Sequence, residues 1–368
     1  MIDNAVAVKQ SPLRALWETL VKYQGLVVPV VALVLAFSLG ALLISLQGVN
    51  PSYAYQSLFR AAFGSSDGIL RTLQKATPLV LSGLAVAVAL KVGLFNIGAQ
   101  GQLIFGALAS AWAGYTYTSL PGFILIPVCL IFGVTAGALW ASIAGALKAY
   151  RGVHEVISTI MLNSIAFGII EYLISNPFQE DGQSLLRTPE VAPAGWLPTF
   201  GFLPTGAIIA VTAAILVAIM LNRTVLGFKF NTVGKNKFAA GYAGMRIPRL
   251  VVGSMLLSGG LAGLGGAVET LGVVHRYESG FNVGIGFDGI TIALLARGNP
   301  LGTIPAAILV GALRAGATTL QFDTGIAPEI VDMILAISLL LVSIPLLANV
   351  IFRSRAKKLE TLTSGWGS

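Results

Sequence analysis

Lys91-Val92-Gly93-Leu94-Phe95-Asn96-Ile97-Gly98-Ala99-Gln100-Gly101-Gln102-Leu103-Ile104-Phe105-Gly106-Ala107-Leu108 sets three side-chain amides, Asn96, Gln100 and Gln102, among four glycines, with strongly apolar segments on either side. Glycine lets backbone unwind or approach closely, and amides supply both donors and acceptors for the backbone groups that unwinding frees. The stretch therefore predicts a broken helix lining a cavity. In lipid, such irregular backbone is tolerated only where it is buried in protein or faces water. Small residues spaced by about one helical turn also let helices pack closely, so a tight packing seam is the competing reading for the glycines. The amides favour the break.

The chain around this stretch has 368 residues, of which 55% are hydrophobic and 10% charged. With a mean hydropathy of +0.84 it is too apolar for an ordinary soluble domain and reads as an all-α, polytopic membrane protein. A formal net charge of +8 raises nucleic acid as a partner, but the cations lie in short loops between apolar runs, where membrane topology accounts for them. Cys129 is the single cysteine and lies in an apolar run, which excludes a disulfide framework and a cysteine metal site. His154 and His275 are far apart in sequence, and there is no Ser/His/Asp pattern, HExxH or GxxxxGK[ST] loop. No enzyme chemistry, metal or cofactor is expected in this chain.

Apolar runs of about 20 residues, the length that spans a bilayer, fall near 26–47, 76–91, 94–117, 123–147 and 155–175, and again near 204–222, 250–272, 283–297, 301–320 and 327–350. Ten helices follow. Residues 1–25 form a polar cytoplasmic arm, with Trp17 and Tyr23 suited to the membrane interface, ahead of an uncleaved first helix; residues 26–350 form the transmembrane domain and 351–368 a cytoplasmic tail. With the N-terminus inside, seventeen Lys and Arg fall on the inner side and five on the outer, leaving Arg314 within a span. That bias puts both termini in the cytoplasm. Two loops are long: 176–203 outside, with Glu180, Asp181, Glu190 and four prolines, and 223–249 inside, with six cations and no acid. The outer one reads as a solvated connector or a docking platform for an external partner.

The halves also repeat. Phe95-Asn96-Ile97-Gly98 returns as Phe281-Asn282-Val283-Gly284, Gly137-Ala138-Leu139 as Gly311-Ala312-Leu313, and Glu155-Val156-Ile157 as Glu329-Ile330-Val331. Each match joins helix n to helix n+5, an odd offset that reverses direction across the membrane. Two inverted five-helix repeats with broken helices are expected, 26–175 and 204–350, flanking the external loop. Transporters of this design place the solute near the midplane at broken helices, which points to the two Phe-Asn-x-Gly copies.

Phe95, Asn96, Gln100, Gln102, Asn163, Phe281, Asn282 and Asp288 are therefore the expected pathway residues. Among intramembrane ionisable groups, Asp288 in GIGFDGI is expected in the pathway or a supporting network, whereas Glu171 and Glu269 lie near helix ends and are expected to reach the interface. Asn163 also reads as a group bonding a neighbouring helix. Such groups are too sparse for a proton relay, so energy is expected from elsewhere. In Gly234-Lys235-Asn236-Lys237-Phe238-Ala239-Ala240-Gly241-Tyr242-Ala243-Gly244, Asn236 can cap a short helix, Gly244 can end it and Pro248 can stop it continuing. Its small surface, Ala239, Ala240 and Ala243, suits a groove on another protein; the alternative is a helix lying on anionic headgroups.

These residues resemble the permease subunits of bacterial ATP-binding-cassette importers, in the branch that handles simple sugars and nucleosides. The match runs from KVGLFNIGAQGQ through VHEVISTIMLN and GKNKFAAGYAG to SGGLAGLGGAVE and GIGFDGITIALLARGNPLG, and the first two segments look like the nucleoside branch. Gln100 departs from the Glu of many relatives, which puts in doubt any role needing an acid there. The resemblance implies a multi-pass protein of the bacterial inner membrane that passes a nucleoside inward. It also implies its partners: a second permease, self or paralogue, an ATPase with two nucleotide-binding halves that carries ATP and Mg, and an extracytoplasmic binding lipoprotein. A simple-sugar permease is the runner-up, and an ion-coupled secondary transporter is the alternative of another class.

Overall fold

The computed structural model describes residues 24–280 and 283–343, and thirteen α-helices make up most of them. In order they are α1 (Gln24–Leu46), α2 (Pro51–Phe63), α3 (Ser66–Lys91), α4 (Ala99–Thr116), α5 (Gly122–Arg151), α6 (Glu155–Ser175), α7 (Thr205–Arg223), α8 (Val225–Lys235), α9 (Lys237–Tyr242), α10 (Ile247–Glu269), α11 (Ile285–Leu295), α12 (Thr303–Thr324) and α13 (Glu329–Ser343). A π-helical turn, Thr270–Val274, prolongs α10.

Every one of the ten expected segments holds a helix, but only seven of the described helices are long and apolar enough to cross a membrane: α1, α3, α5, α6, α7, α10 with its π turn, and α12. Against the ten expected spans the described residues thus hold seven candidates, the tenth expected segment, 327–350, running past residue 343. At 11 residues, α11 is too short, and α4, 18 residues long, is made too polar by Gln100 and Gln102 in its first turn. The N-terminal arm, the tail, Phe281 and Asn282 lie outside the described residues.

Helix signals hidden among polar residues account for the remaining differences. Asn50 accepts the Ser52 amide ahead of Pro51, which starts α2, and Ser65 accepts the Gly68 amide, so α3 begins ten residues before the expected 76. Pro248, expected to stop a helix, lies in the first turn of α10, where its missing N–H costs nothing.

α3 and α10 occupy the centre, packed on each other, with α4 and α5 against α10, and α11 and α12 against α3. Glycines allow this closeness: a Cβ on Gly106 would overlap the Gly263 backbone, and one on Gly137 would overlap the Gly259 carbonyl. The packing seam is therefore real at Gly106, while the break lies at the earlier glycines.

The loop 176–203, expected outside, is ordered and forms a lid over the end of α10. Its β1 (Thr199–Phe200) and β2 (Leu203–Pro204) form a small antiparallel hairpin. The Thr188, Val191 and Leu197 amides donate to the Tyr277, His275 and Leu271 carbonyls at 2.9, 2.8 and 2.9 Å. Arg276 pairs with Glu180 at 3.3 Å and Glu190 at 2.9 Å, and Arg187 pairs with Glu180 at 2.6 Å.

Candidate functional site: an amide-held helix break

α3 ends at Lys91, and Gly93 takes φ +78°, a left-handed conformation that glycine adopts without penalty. The chain then runs irregularly to Gly98 before α4 begins. The amide groups close the gap. Asn96 donates through Nδ2 to Gln102 Oε1 at 2.8 Å and to Ser258 Oγ at 2.8 Å, while its Oδ1 accepts the Gly98 amide at 3.0 Å and Gln102 Nε2 at 3.1 Å. Ser258 in turn donates to the Ala85 carbonyl at 2.6 Å, so α10 is bonded to both α3 and the break.

Asn163 of α6 secures the other side: its Oδ1 accepts the Gly101 amide at 2.8 Å and its Nδ2 donates to the Ile97 carbonyl at 2.9 Å. Gln100 Oε1 accepts the Gly286 amide at 2.8 Å, and a Cβ on Gly286 would overlap the Gln100 backbone. This contact joins the start of α4 to the start of α11. A neutral amide suits that role.

In this conformation Asn96 and Gln100 have no exposed surface, and Gln102 and Asn163 have almost none. The expectation that these amides line an open cavity is corrected: they bond protein, and Phe95 is the half-buried member of the group. Asp288, at the first turn of α11, pairs with Arg314 at 2.6 Å, and Arg314 reaches Asp332 at 3.3 Å, an ionic bridge across α11, α12 and α13. Glu171 is exposed as expected, but Glu269 is fully buried and does not reach the interface.

In the loop 223–249, Asn236 Oδ1 accepts the Ala239 amide at 3.0 Å and caps α9, and Gly244 follows it at φ +75°. Ala239, Ala243 and Gly244 are exposed, but Ala240 is fully buried, so it faces the protein rather than a partner. Phe238 and Tyr242, the latter 95% exposed, dominate the free face. Gly234 packs on the end of α3, where a Cβ would overlap the Lys91 carbonyl.

Ser258 and Gly286 were missed in the sequence. Ser258 is a lone hydroxyl in a glycine-rich run, which is a weak signal, and the Gly286 contact with Gln100 spans the two halves. Among the described residues no His, Cys, Asp or Glu cluster is arranged to hold a metal.

Known proteins are similar to this chain along most of its length. The family model described as "Branched-chain amino acid transport system / permease component" matches residues 68–343. The chain is 38% identical to the guanosine ABC transporter permease protein NupP of Bacillus subtilis, covering 86% of this chain and 93% of that protein. It is 36% identical to the nucleoside ABC transporter permease protein NupB of Lactococcus lactis, over 94% and 98% of the two chains. With the glucose ABC transporter permease protein TsgB13 of Haloferax volcanii the identity is 34%, over 85% of each.

Proposed function

The chain belongs to the branched-chain amino acid transport system permease family of ATP-binding-cassette importers, and we propose that it forms the inward path for a nucleoside. The observation that carries the nucleoside reading is the identity, above one third and across nearly the whole chain, shared with the guanosine and nucleoside permeases. The similarity to a glucose permease keeps a simple sugar as the second reading.

The membrane-spanning permease consists, in this reading, of two inverted repeats. Exchange of packing partners supports it: α5 lies on α10 as α12 lies on α3, and α4 lies on α10 as α11 lies on α3. Glu155 and Glu329, a matched pair, each begin a helix. Both termini are cytoplasmic, with 1–25 as an inner arm and 351–368 as a tail. The solute path runs beside the break, bordered by Phe95, Phe281, Asn282 and Asp288, with Asn96, Gln100, Gln102 and Asn163 fixing the backbone behind it.

A separate ATPase with two nucleotide-binding halves holds ATP and Mg and docks on α9 and its flanks, Gly234 to Gly244. A second permease completes the membrane unit, and a binding lipoprotein delivers solute to the outer lid. Uptake of labelled guanosine, uridine, ribose and glucose by vesicles carrying the whole importer tests this. Guanosine or uridine uptake that stops on ATP depletion supports the reading; sugar uptake alone assigns the second one, and uptake that survives without ATP overturns both.

A further inference from the structure

Glu269 is 1% exposed, and among the described residues neither of its carboxylate oxygens has a hydrogen-bond partner. The neighbouring Thr270 hydroxyl is likewise buried and unpartnered. Both lie where α10 passes into the π-helical turn, a distortion that recurs at functional sites. A cavity opens beside Glu269, lined by Gln74 and Thr77 of α3, Thr205 and Gly206 of α7, and Leu197 of the lid. An isolated buried carboxylate is among the costliest groups a protein can carry, so its charge is met by a cation or cancelled by a proton.

Protein supplies little of that neutralisation. Lys75 of α3 is the cation whose field reaches Glu269, yet no ion pair forms between them among the described residues. Segment 193–205 and α4 carry no charged residue; the charged groups of α7 and α5 are Arg223, Lys148 and Arg151, at the opposite ends of those helices. Beyond the π turn, Arg276 is occupied by Glu180 and Glu190, and His275 stacks on Trp196.

We propose that Glu269, with the Thr270 hydroxyl and the Gln74 and Thr77 side chains lining the cavity, binds a small monovalent cation, either sodium or a proton carried by water. Oxygen donors of this kind suit a hard cation. The site belongs to the outer end of α10 under the lid, distinct from the amide-held break, and stands whichever solute the importer carries.

The test uses the purified importer with its ATPase. Its thermal midpoint is followed as sodium chloride replaces choline chloride at neutral pH, then across the neutral pH range in choline chloride alone. A midpoint raised by sodium in wild type and unresponsive in Glu269→Gln assigns sodium. A pH response lost in Glu269→Gln, with no sodium response, assigns the proton. Thr270→Val is expected to need several-fold more of the same cation for half the effect, which keeps the test decisive if Glu269→Gln fails to assemble. Wild-type curves that are flat in both titrations, or matched by both variants, overturn the proposal.

Discussion

Gly234 lies so close to Lys91 that a Cβ on it would overlap the Lys91 carbonyl oxygen. The loop 223–249 thus rests, backbone on backbone, on the end of α3 just where the helix break begins. Gly93 faces the same contact, since an ideal Cβ on it would come 3.6 Å from Gly234 Cα. A packed contact of this kind transmits displacement instead of absorbing it. Gly234→Val is expected to push α8 off α3 and to lower solute-stimulated hydrolysis and uptake several-fold while the complex still assembles. Gly253→Ala is the control, because nothing lies within 4 Å of a Cβ there. Normal uptake by Gly234→Val would show that the contact is not the link.

Asn96→Ala leaves the Gly98 amide and both polar atoms of Gln102 short of partners inside the membrane domain. Each orphaned group costs about 1–3 kcal/mol, less where the unfolded chain in lipid also finds partners. A lower thermal midpoint is expected together with lost transport. Asn163→Ala should act in the same direction, because it frees the Gly101 amide and the Ile97 carbonyl. Lost transport at unchanged stability would instead mark these amides as direct solute contacts.

The membrane class, the helix positions and the break were legible because apolar run length and glycine-amide patterning are local signals. What the amides bond was not legible: Asn96 meets Ser258 and Gln100 meets Gly286 across separations of 162 and 186 residues. The hydrophobic signal also ran through the break, merging residues 94–98 with α4 although Gly93 and Asn96 hold them out of the helix. The start of α3 was lost for the opposite reason, since Asp67, Arg71 and Lys75 dilute its apolar character. Ala240 was misplaced because burial on a six-residue helix cannot be read from alanines that repeat on every side.

Cysteine labelling checks topology on a quiet background, because Cys129 is fully buried. Gln183 and Asn236 are both exposed. Gln183→Cys is expected to react with an impermeant reagent from outside and Asn236→Cys only after the membrane is opened. Reaction of both from one side would exclude the proposed orientation.

For the proposed ATPase contact the informative residue is Tyr242, not Ala240. Tyr242→Ala removes a ring that is 95% exposed and is expected to weaken ATPase co-purification without lowering permease stability. Ala240→Trp forces a large ring into a filled site and is expected to destabilise the loop itself. A Lys235→Gln/Lys237→Gln double variant distinguishes headgroup attachment. If it alone abolishes co-purification while Tyr242→Ala is silent, α9 is a lipid-bound helix.

The lid should loosen on acidification. Burial pushes the His275 imidazole below its ordinary value of about 6.5, with Arg276 adding to the effect while Leu271 and Glu190 oppose it. The ring stacks on Trp196, with centroids 4.0 Å apart, and its burial there makes the folded lid favour the neutral form. The unfolded state then binds more protons, and the contribution is fully present above the unfolded pKa and lost as pH falls through it towards the folded one. A thermal midpoint that drops between about pH 7.5 and pH 5.5 is expected, a window chosen around the histidine value and above ordinary carboxylates. His275→Asn keeps a residue that tolerates the observed φ of 61° and should flatten part of that drop. An identical pH profile for His275→Asn would remove the imidazole from the account and leave the Arg276 ion pairs as what fastens the lid.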